Sequence, residues 1–363
     1  MEPLKMTTLP TPFANQPNHT PLLLQAFQPT PLSRPPVWMM RQAGRYMHEY
    51  QTVRQTHSFM DICKRPEVTV EVTLQPLKAF GFDASIIFSD ILIPLEAMGL
   101  ELHFGDKTGP QFPNPLRHKD DLKRLQVMEP RETCWFLPES LKLMRKELQG
   151  TGITLIGFAG APWTLASYAI EGHSWKTGQH TKRFLYDEPE AFHQLMHTIS
   201  TQLIDYLCMQ VEAGAEVLQL FDTWGGVCPT PYYASCVDAY QRMVIEGVKA
   251  KYPHIPIILF VKHSRGLYHY LASSPADCIS IDDLTPLDTA RGLLPNKVLQ
   301  GNLDSSCLFM QNQTALVERV HEVLRAGGYT QFIFNLGHGI LPQTPRENVA
   351  LVVDTIKQWE AGS

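Results

Sequence analysis

Short apolar runs recur along the chain, with segments of helix-like spacing between them. Most of these runs are apolar on both faces, as the strands of a buried parallel sheet are. They therefore predict a parallel sheet whose strands alternate with helices. The eight candidate strands are Val37–Met40, Ala84–Phe88, Thr154–Phe158, Glu216–Phe221, Ile255–Val261, Cys278–Ile281, Lys297–Leu299 and Gln331–Phe334.

Two of the intervening segments predict helices especially clearly. Apolar side chains recur at helical spacing over residues 188–213, and Thr344–Glu347 has the form of a capping box with Pro345 at the first helical position. Eight strands alternating with helices favour an α/β fold organised as a single (β/α)8 TIM-type barrel. An open doubly wound sheet is the alternative, but no GxGxxG motif follows any candidate strand.

The start of the chain differs from this pattern. Residues 1–35 contain eight prolines and one short apolar patch, without the basic region and unbroken apolar core of a secretory signal. We expect residues 1–20 to form a mobile tail and residues 21–363 to form one barrel domain.

Composition limits the protein's class and partners. The chain is 44% hydrophobic and 18% charged, which is ordinary for a globular protein, and no apolar run is long enough to insert into a membrane. Seven cysteines without a CxxC pair indicate reduced thiols and a cytoplasmic location. A net charge of −5 argues against nonspecific binding of nucleic acid.

Polar side chains and glycines follow every candidate strand. In a barrel the carboxyl ends of all strands share one rim, where such enzymes place their active sites. The recurrence therefore predicts a site at this rim. In strand order, the residues are Arg41 and Arg45, Ser89-Asp90, Gly160–Trp163 with Tyr168, Asp222–Gly226, Lys262-His263, Asp282-Asp283, Gly301–Asp304 and Asn335–Gly339.

The first of these groups suggests anion binding. In PVWMMRQAGRYMHEY (36–50), an apolar run ends at Arg41, and Arg45 follows four residues later, beyond Gly44. Two guanidiniums around such a turn can bind one set of carboxylates, although a surface segment with scattered arginines is the alternative. Asp90 ends an apolar run and could stabilise positive charge or cap a helix beginning at Ile91.

The same segment resembles the signature near the start of the uroporphyrinogen decarboxylase family. IIFSDIL (86–92), GFAGAPWTLASYAIEG (157–172), LQGNLD (299–304) and NLGHG (335–339) are also similar to that family, in its order and at similar spacing. The resemblance covers residues 36–358. It implies removal of the four acetate carboxyl groups of uroporphyrinogen III, giving coproporphyrinogen III for haem biosynthesis, and a homodimer with facing clefts.

The resemblance also implies roles for individual residues. Asp90 and Arg41 would be catalytic, with Asp90 facing the central pyrrole N–H groups. A protonated pyrrole can accept the electrons of the breaking C–C bond, so we expect no cofactor and no metal. Because a guanidinium is a poor acid near neutral pH, the general acid stays open. The implied substrate contacts are Arg41, Gln42, Ala43, Gly44, Arg45, Asp90, Tyr168, Thr223 and His338.

Several alternatives remain at this stage. From the residues alone, Tyr168 could be a core side chain and Thr223 a turn residue. After the sixth strand the chain reads Ile281–Leu284 (IDDL), where many relatives have Leu-Asp-Trp, which puts a contact there in doubt. A corrinoid-dependent methyltransferase of the same superfamily would need a zinc-held thiolate, but neither His263 nor His338 begins a His-x-Cys pair. A non-catalytic tetrapyrrole-binding barrel stays open.

Overall fold

The computed structural model describes residues 20–105 and 109–359 of the 363-residue chain. Its strands are β1 (Ala84–Ile86), β2 (His103–Gly105), β3 (Gly109–Gln111), β4 (Thr154–Gly160), β5 (Val217–Asp222), β6 (Ile257–Val261), β7 (Cys278–Ser280), β8 (Val298–Leu303) and β9 (Phe332–Leu336). Within the described ranges, β2 and β3 pair as an antiparallel hairpin, and the other seven strands form one parallel sheet in chain order. The predicted α/β class is confirmed, whereas sequence analysis did not predict the hairpin.

Helices follow the strands and cover the outside of the sheet, as parallel connections require. The predicted helix over 188–213 is confirmed, and no described helix is both long and apolar enough to cross a membrane. The helices are α1 (Leu22–Gln25), α2 (His48–Arg54), α3 (Phe59–Lys64), α4 (Pro66–Phe80), α5 (Ile93–Ala97), α6 (Pro130–Thr133), α7 (Phe136–Glu147), α8 (Pro162–Glu171), α9 (Gln179–Asp187), α10 (Pro189–Glu212), α11 (Thr230–Tyr233), α12 (Ala239–Lys251), α13 (Tyr268–Ser273), α14 (Leu287–Leu293), α15 (Gln313–Gly327) and α16 (Arg346–Lys357).

The first candidate strand, Val37–Met40, is not a strand. Only Val37 makes a bridge, in parallel with Phe334 of β9. On its other side Val37 bonds to Asp83, which donates its N–H to the Val37 carbonyl (2.9 Å) and accepts the Val37 N–H on its carboxylate (2.8 Å). Segment 36–38 therefore lies between Phe334 of β9 and Asp83, the residue before β1, without forming an eighth strand of the curled sheet.

The local sequence explains why a ladder does not form there. Pro35 and Pro36 remove two N–H donors just before Val37, and Arg41 turns the chain with a left-handed φ of 63°. Arg34 forms a bidentate ion pair with Asp83, at 2.7 and 2.8 Å, which holds the Asp83 carboxylate in place. This carboxylate accepts the Val37 N–H, which would otherwise bond to a neighbouring strand. The prediction of eight regular strands is therefore wrong at its first member.

Several strands end at later residues than the sequence predicted. β8 and β9 extend beyond their apolar runs because polar residues continue the ladder, with Asn302 opposite Asn335. The Asn302 amide donates to the carbonyls of Asp282 (2.9 Å) and Thr285 (2.7 Å), so its polarity is satisfied inside the sheet.

The predicted capping box before the last helix is wrong. α16 begins at Arg346 with Pro345 as its N-cap, and the buried Thr344 hydroxyl has no hydrogen-bond partner among the described residues. A Thr-x-x-Glu spacing therefore does not by itself place the cap.

The division into a tail (1–20) and one barrel domain (21–363) stays a prediction. All of that tail except Thr20 lies outside the residues that the structure describes.

Candidate active site

A cavity of about 1280 Å³ lies at the carboxyl ends of β1, β4, β5 and β9. We call it the central cavity. Every residue that the family resemblance implied as a substrate contact lines it, from five separate segments of the chain. These residues are Arg41, Gln42, Ala43, Gly44, Arg45, Asp90, Tyr168, Thr223 and His338.

Arg41 reaches the cavity through an unusual backbone conformation. Its φ of 63° is left-handed, which is uncommon for a residue with a side chain. Gly339 makes room for the Arg41 side chain, because a Cβ at position 339 would lie 2.5 Å from Arg41 Cδ. The Ile340 N–H donates to the Met40 carbonyl (2.9 Å), which holds the loop after β9 against this turn.

The charges of Arg41 and Arg45 are not neutralised within the described part of the chain. Neither guanidinium forms an ion pair there, and both border the cavity with accessible side chains. Protein nevertheless surrounds Arg41, and this burial lowers its pKa, against the opposing influence of Tyr168 and Asp90. Since a guanidinium stays protonated in proteins, the cavity carries two cations ready to bind anionic groups.

Asp90 has one bound and one available carboxylate oxygen. Oδ1 accepts the Leu92 N–H at 2.8 Å, whereas Oδ2 has no hydrogen bond among the described residues. The alternative considered for Asp90, a cap on a helix beginning at Ile91, has no support, because α5 begins at Ile93 with Leu92 as its N-cap. Burial raises the pKa of Asp90 to about 6, although the Leu92 hydrogen bond and the Arg41 charge oppose the rise.

His338 enters the cavity as a neutral ring. Burial lowers its pKa to about 3, and the positive charges of Arg41 and Lys262 add to this effect. The imidazole can therefore exchange hydrogen bonds with a ligand at neutral pH but brings no charge.

Tyr168 and Thr223 supply hydroxyl groups on another wall. Tyr168 lies on α8, and burial raises its pKa, so the phenol stays protonated and able to donate. Thr223 directly follows β5, and its hydroxyl makes no hydrogen bond among the described residues. The hydroxyl is thus available to a ligand and makes no ST-turn or cap bond in the described residues, although the backbone at Thr223 and Trp224 forms a turn.

The residues between the two arginines shape the turn. Gln42 is buried, and its amide accepts from Met39 N (3.2 Å) and donates to the Ala84 carbonyl (3.2 Å). Tyr46 donates to the Gln42 carbonyl at 2.6 Å. The Gln42 side chain is thus committed to holding the turn, while Ala43 and Gly44 keep the adjoining wall small.

Sequence analysis missed an aromatic wall of the central cavity. Phe59 packs on Phe104 at 4.7 Å and on Phe88 at 5.8 Å between ring centroids. Phe59 lies on α3 and Phe104 on β2, away from the ends of the predicted strands, so the rim argument could not find them. His57, which sequence analysis left without a role, and Arg54 also line the cavity.

The loops after β6 and β7 stand apart from the cavity. Asp282 accepts N–H groups from His263, Ser264 and Leu284, so it organises these two loops. Asp283, which sequence analysis noted as a departure from the family pattern, is exposed and is not part of the cavity lining.

In the described ranges, no group of three or more His, Cys, Asp or Glu side chains is arranged to hold a metal ion.

Comparisons with known proteins agree on one family. Residues 18–359 match the family model described as uroporphyrinogen decarboxylase (URO-D). The chain is 42% identical to a uroporphyrinogen decarboxylase of Thermosynechococcus vestitus, over 93% of this chain and 98% of that protein. It is 44% identical to that of Myxococcus xanthus, over 92% and 95%, respectively.

Among solved structures, a methyltransferase from Methanosarcina mazei has a similar fold. The TM-score is 0.72 at 18% identity, over 94% of this chain and 99% of that one. At this identity the likeness shows the fold alone.

Proposed function

The chain belongs to the uroporphyrinogen decarboxylase family, and from this premise we propose that its central cavity converts uroporphyrinogen III to coproporphyrinogen III by removing the four acetate carboxyl groups. One observation carries the proposal. Two guanidiniums without ion pairs in the described chain share a cavity with Asp90, whose Oδ2 is available. A substrate with eight carboxylates and a central set of pyrrole N–H donors complements both features.

We propose that segment 36–40 and the seven parallel strands together form a barrel, which is consistent with the proposed function. Segment 36–40 would act as the eighth member of a (β/α)8 TIM-type barrel, since Pro36 and Trp38 bond to Phe334 of β9 and Val37 bonds to Asp83, just before β1. The irregular backbone of this segment would then place the turn at Arg41 at the rim of the barrel.

The reaction needs no external electron sink. Protonation of a pyrrole carbon gives a cation, and the electron pair of the C–C bond to the acetate carboxylate moves into this cation as CO₂ leaves. A second proton then adds to the exocyclic carbon to give the methyl group, and the proton first added to the ring carbon leaves, so each cycle consumes one proton overall. Asp90 would accept the pyrrole N–H groups and stabilise the cation, while Arg41 and Arg45 hold carboxylates by bidentate bonds.

The competing corrinoid-dependent methyltransferase requires a zinc-held thiolate. The free cysteines are Cys63, Cys134, Cys208, Cys228, Cys236, Cys278 and Cys307, and none of them lines the central cavity. The structural likeness to a methyltransferase concerns the fold alone. The donor set therefore favours decarboxylation.

The direct test is incubation of the purified protein with uroporphyrinogen III under reducing, anaerobic conditions. After oxidation, chromatography separates porphyrins by carboxyl number, and we expect conversion from eight to four carboxyl groups. A parallel sample dialysed against a chelator should retain its rate. Binding without carboxyl loss would indicate a tetrapyrrole-binding protein, and a rate that returns only with added metal would contradict the cofactor-free reaction.

The pKa of Asp90 predicts the acid side of the pH profile. If the ionised carboxylate is the active form and its pKa is about 6, kcat/KM should fall as the pH decreases through about 6. Well below this value the decrease should be about tenfold per pH unit. Rates measured from pH 5 to 8 would test this, and a flat profile down to pH 5 would contradict the role of the Asp90 carboxylate.

We further propose that the protein is a cytoplasmic homodimer with facing cavities, as the family resemblance implies. Sedimentation equilibrium at micromolar concentration should give about twice the chain mass of 41.1 kDa. A species of 41.1 kDa alone would contradict the dimer.

A further inference from the structure

Asp222, the last residue of β5, is a fully buried carboxylate that the reaction above does not use. Its Oδ1 accepts the Thr164 hydroxyl at 2.6 Å, and its Oδ2 accepts the Gln241 amide at 2.7 Å. These partners lie on α8 and α12, so a single side chain connects β5 to two helices. Gly225 allows this packing, because a Cβ there would lie 2.8 Å from Asp222 Oδ2.

Thr164 extends the connection to the loop that follows β5. Its oxygen accepts the Trp224 N–H at 3.0 Å while its proton goes to Asp222. Thr164 of α8 therefore bonds to both neighbours of Thr223, to the side chain of Asp222 and to the backbone N–H of Trp224.

The same helix carries the second hydroxyl of the cavity wall. Tyr168 follows Thr164 by four residues, which places both on one face of α8. The Tyr168 ring lies 6.3 Å from the Trp224 ring, centroid to centroid. The chain of bonds through Thr164 thus sets where Thr223 stands relative to Tyr168.

The charge state of Asp222 agrees with this role. Both side-chain partners donate hydrogen bonds to it, one to each oxygen, and an ionised carboxylate accepts such bonds more strongly than a neutral carboxyl group. Burial raises the pKa of Asp222 to about 6, and the bonds from Thr164 and Gln241 oppose the rise. The nearby titratable groups are Tyr233 and Cys228, and burial raises the pKa of each, so both stay neutral beside it.

We propose that Asp222 is a positioning residue for the decarboxylation, holding Thr223 and Tyr168 at a fixed separation through Thr164. The proposal rests on the function proposed above. It predicts that loss of the Thr164 hydroxyl impairs turnover even though Thr164 itself does not line the central cavity.

The test compares two substitutions of buried Thr164. Thr164→Val keeps the shape and removes the hydroxyl, and we expect kcat/KM per folded enzyme to fall about ten- to a hundredfold, as misplaced reacting groups typically cause. Thr164→Ser keeps the hydroxyl and should stay within about threefold of wild type. Thermal melts and circular dichroism define the folded fraction, and an unchanged kcat/KM in folded Thr164→Val would overturn the proposal.

A double-substitution cycle separates positioning from a general loss of packing. In a Thr223→Val background, the additional Thr164→Val substitution should lower kcat/KM by a clearly smaller factor than it does in wild type. The reason is that the Thr223 hydroxyl, one of the two groups that Thr164 positions, is already absent. Equal losses in both backgrounds would overturn the proposal. Should Thr164→Val fail to fold, Gln241→Leu removes the other bond to Asp222, and an undiminished kcat/KM there would have the same meaning. A wild-type protein that does not decarboxylate uroporphyrinogen would instead refute the proposed function.

Discussion

Asp90→Asn is expected to lower kcat about 100- to 1000-fold while the protein stays folded. The amide keeps the shape of the carboxyl group and can still accept the Leu92 N–H through its oxygen, so the turn before α5 should survive. What is lost is the negative charge that would stabilise the cationic intermediate. Steady-state rates at saturating uroporphyrinogen measure the effect.

The same substitution should leave the melting temperature at neutral pH unchanged or raise it. The folded pKa of Asp90, about 6, lies above the ordinary aspartate value of 3.8, so ionisation is disfavoured in the folded protein. The stability that the protonated form contributes is complete below pH 3.8 and is lost as the pH rises through about 6. Asparagine avoids the cost of ionisation at pH 7.

The Asp90→Asn variant needs a control substitution at a carboxylate outside the site. Asp283→Asn changes an exposed carboxylate outside the cavity lining and should leave kcat unaltered. Near-normal turnover in a folded Asp90→Asn variant would mean that Asp90 serves only to accept the Leu92 N–H and has no catalytic role.

Sequence reasoning located the site better than it located the strands. The residues that follow β1, β5 and β9 line the central cavity, because parallel strands have their carboxyl ends at one edge of the sheet. The same reasoning placed Lys262 and Asp282 at the rim, but neither lines the cavity. Asp282 shows why, since its carboxylate accepts three backbone N–H groups and serves the loops themselves.

The features that sequence reasoning missed depend on tertiary contacts. The apolar run at Val37 suggested a strand, but the hydrogen bonds there come from the Asp83 carboxylate and a single bridge to Phe334. Gln42 could be placed beside the site, but the commitment of its amide to Met39 and Ala84 could not be predicted. Such contacts join residues far apart in the chain, and local pattern carries no information about them.

Replacing Arg41 or Arg45 by Lys should impair the enzyme although the charge is kept. Lysine is a point donor and cannot form the two parallel hydrogen bonds that a guanidinium makes with a carboxylate. A charge-assisted hydrogen bond contributes about 1.5–3 kcal/mol, so each variant should lose about ten- to a hundredfold in kcat/KM. Arg65→Lys is the matched control, because Arg65 is exposed on the surface and pairs with Glu67.

Of the two arginines, Arg41 should show the larger loss. Its left-handed backbone and its contact with Gly339 fix the direction of its side chain, whereas Arg45 has ordinary backbone geometry. A preorganised donor loses little entropy on binding, so exchanging it for a flexible ammonium removes more of the transition-state interaction. Kinetics across substrate concentrations would separate kcat from KM. If both Lys variants matched wild type while Asp90→Asn was inactive, the guanidiniums would not bind the reacting carboxylates, and that binding would have to come from elsewhere in the cavity.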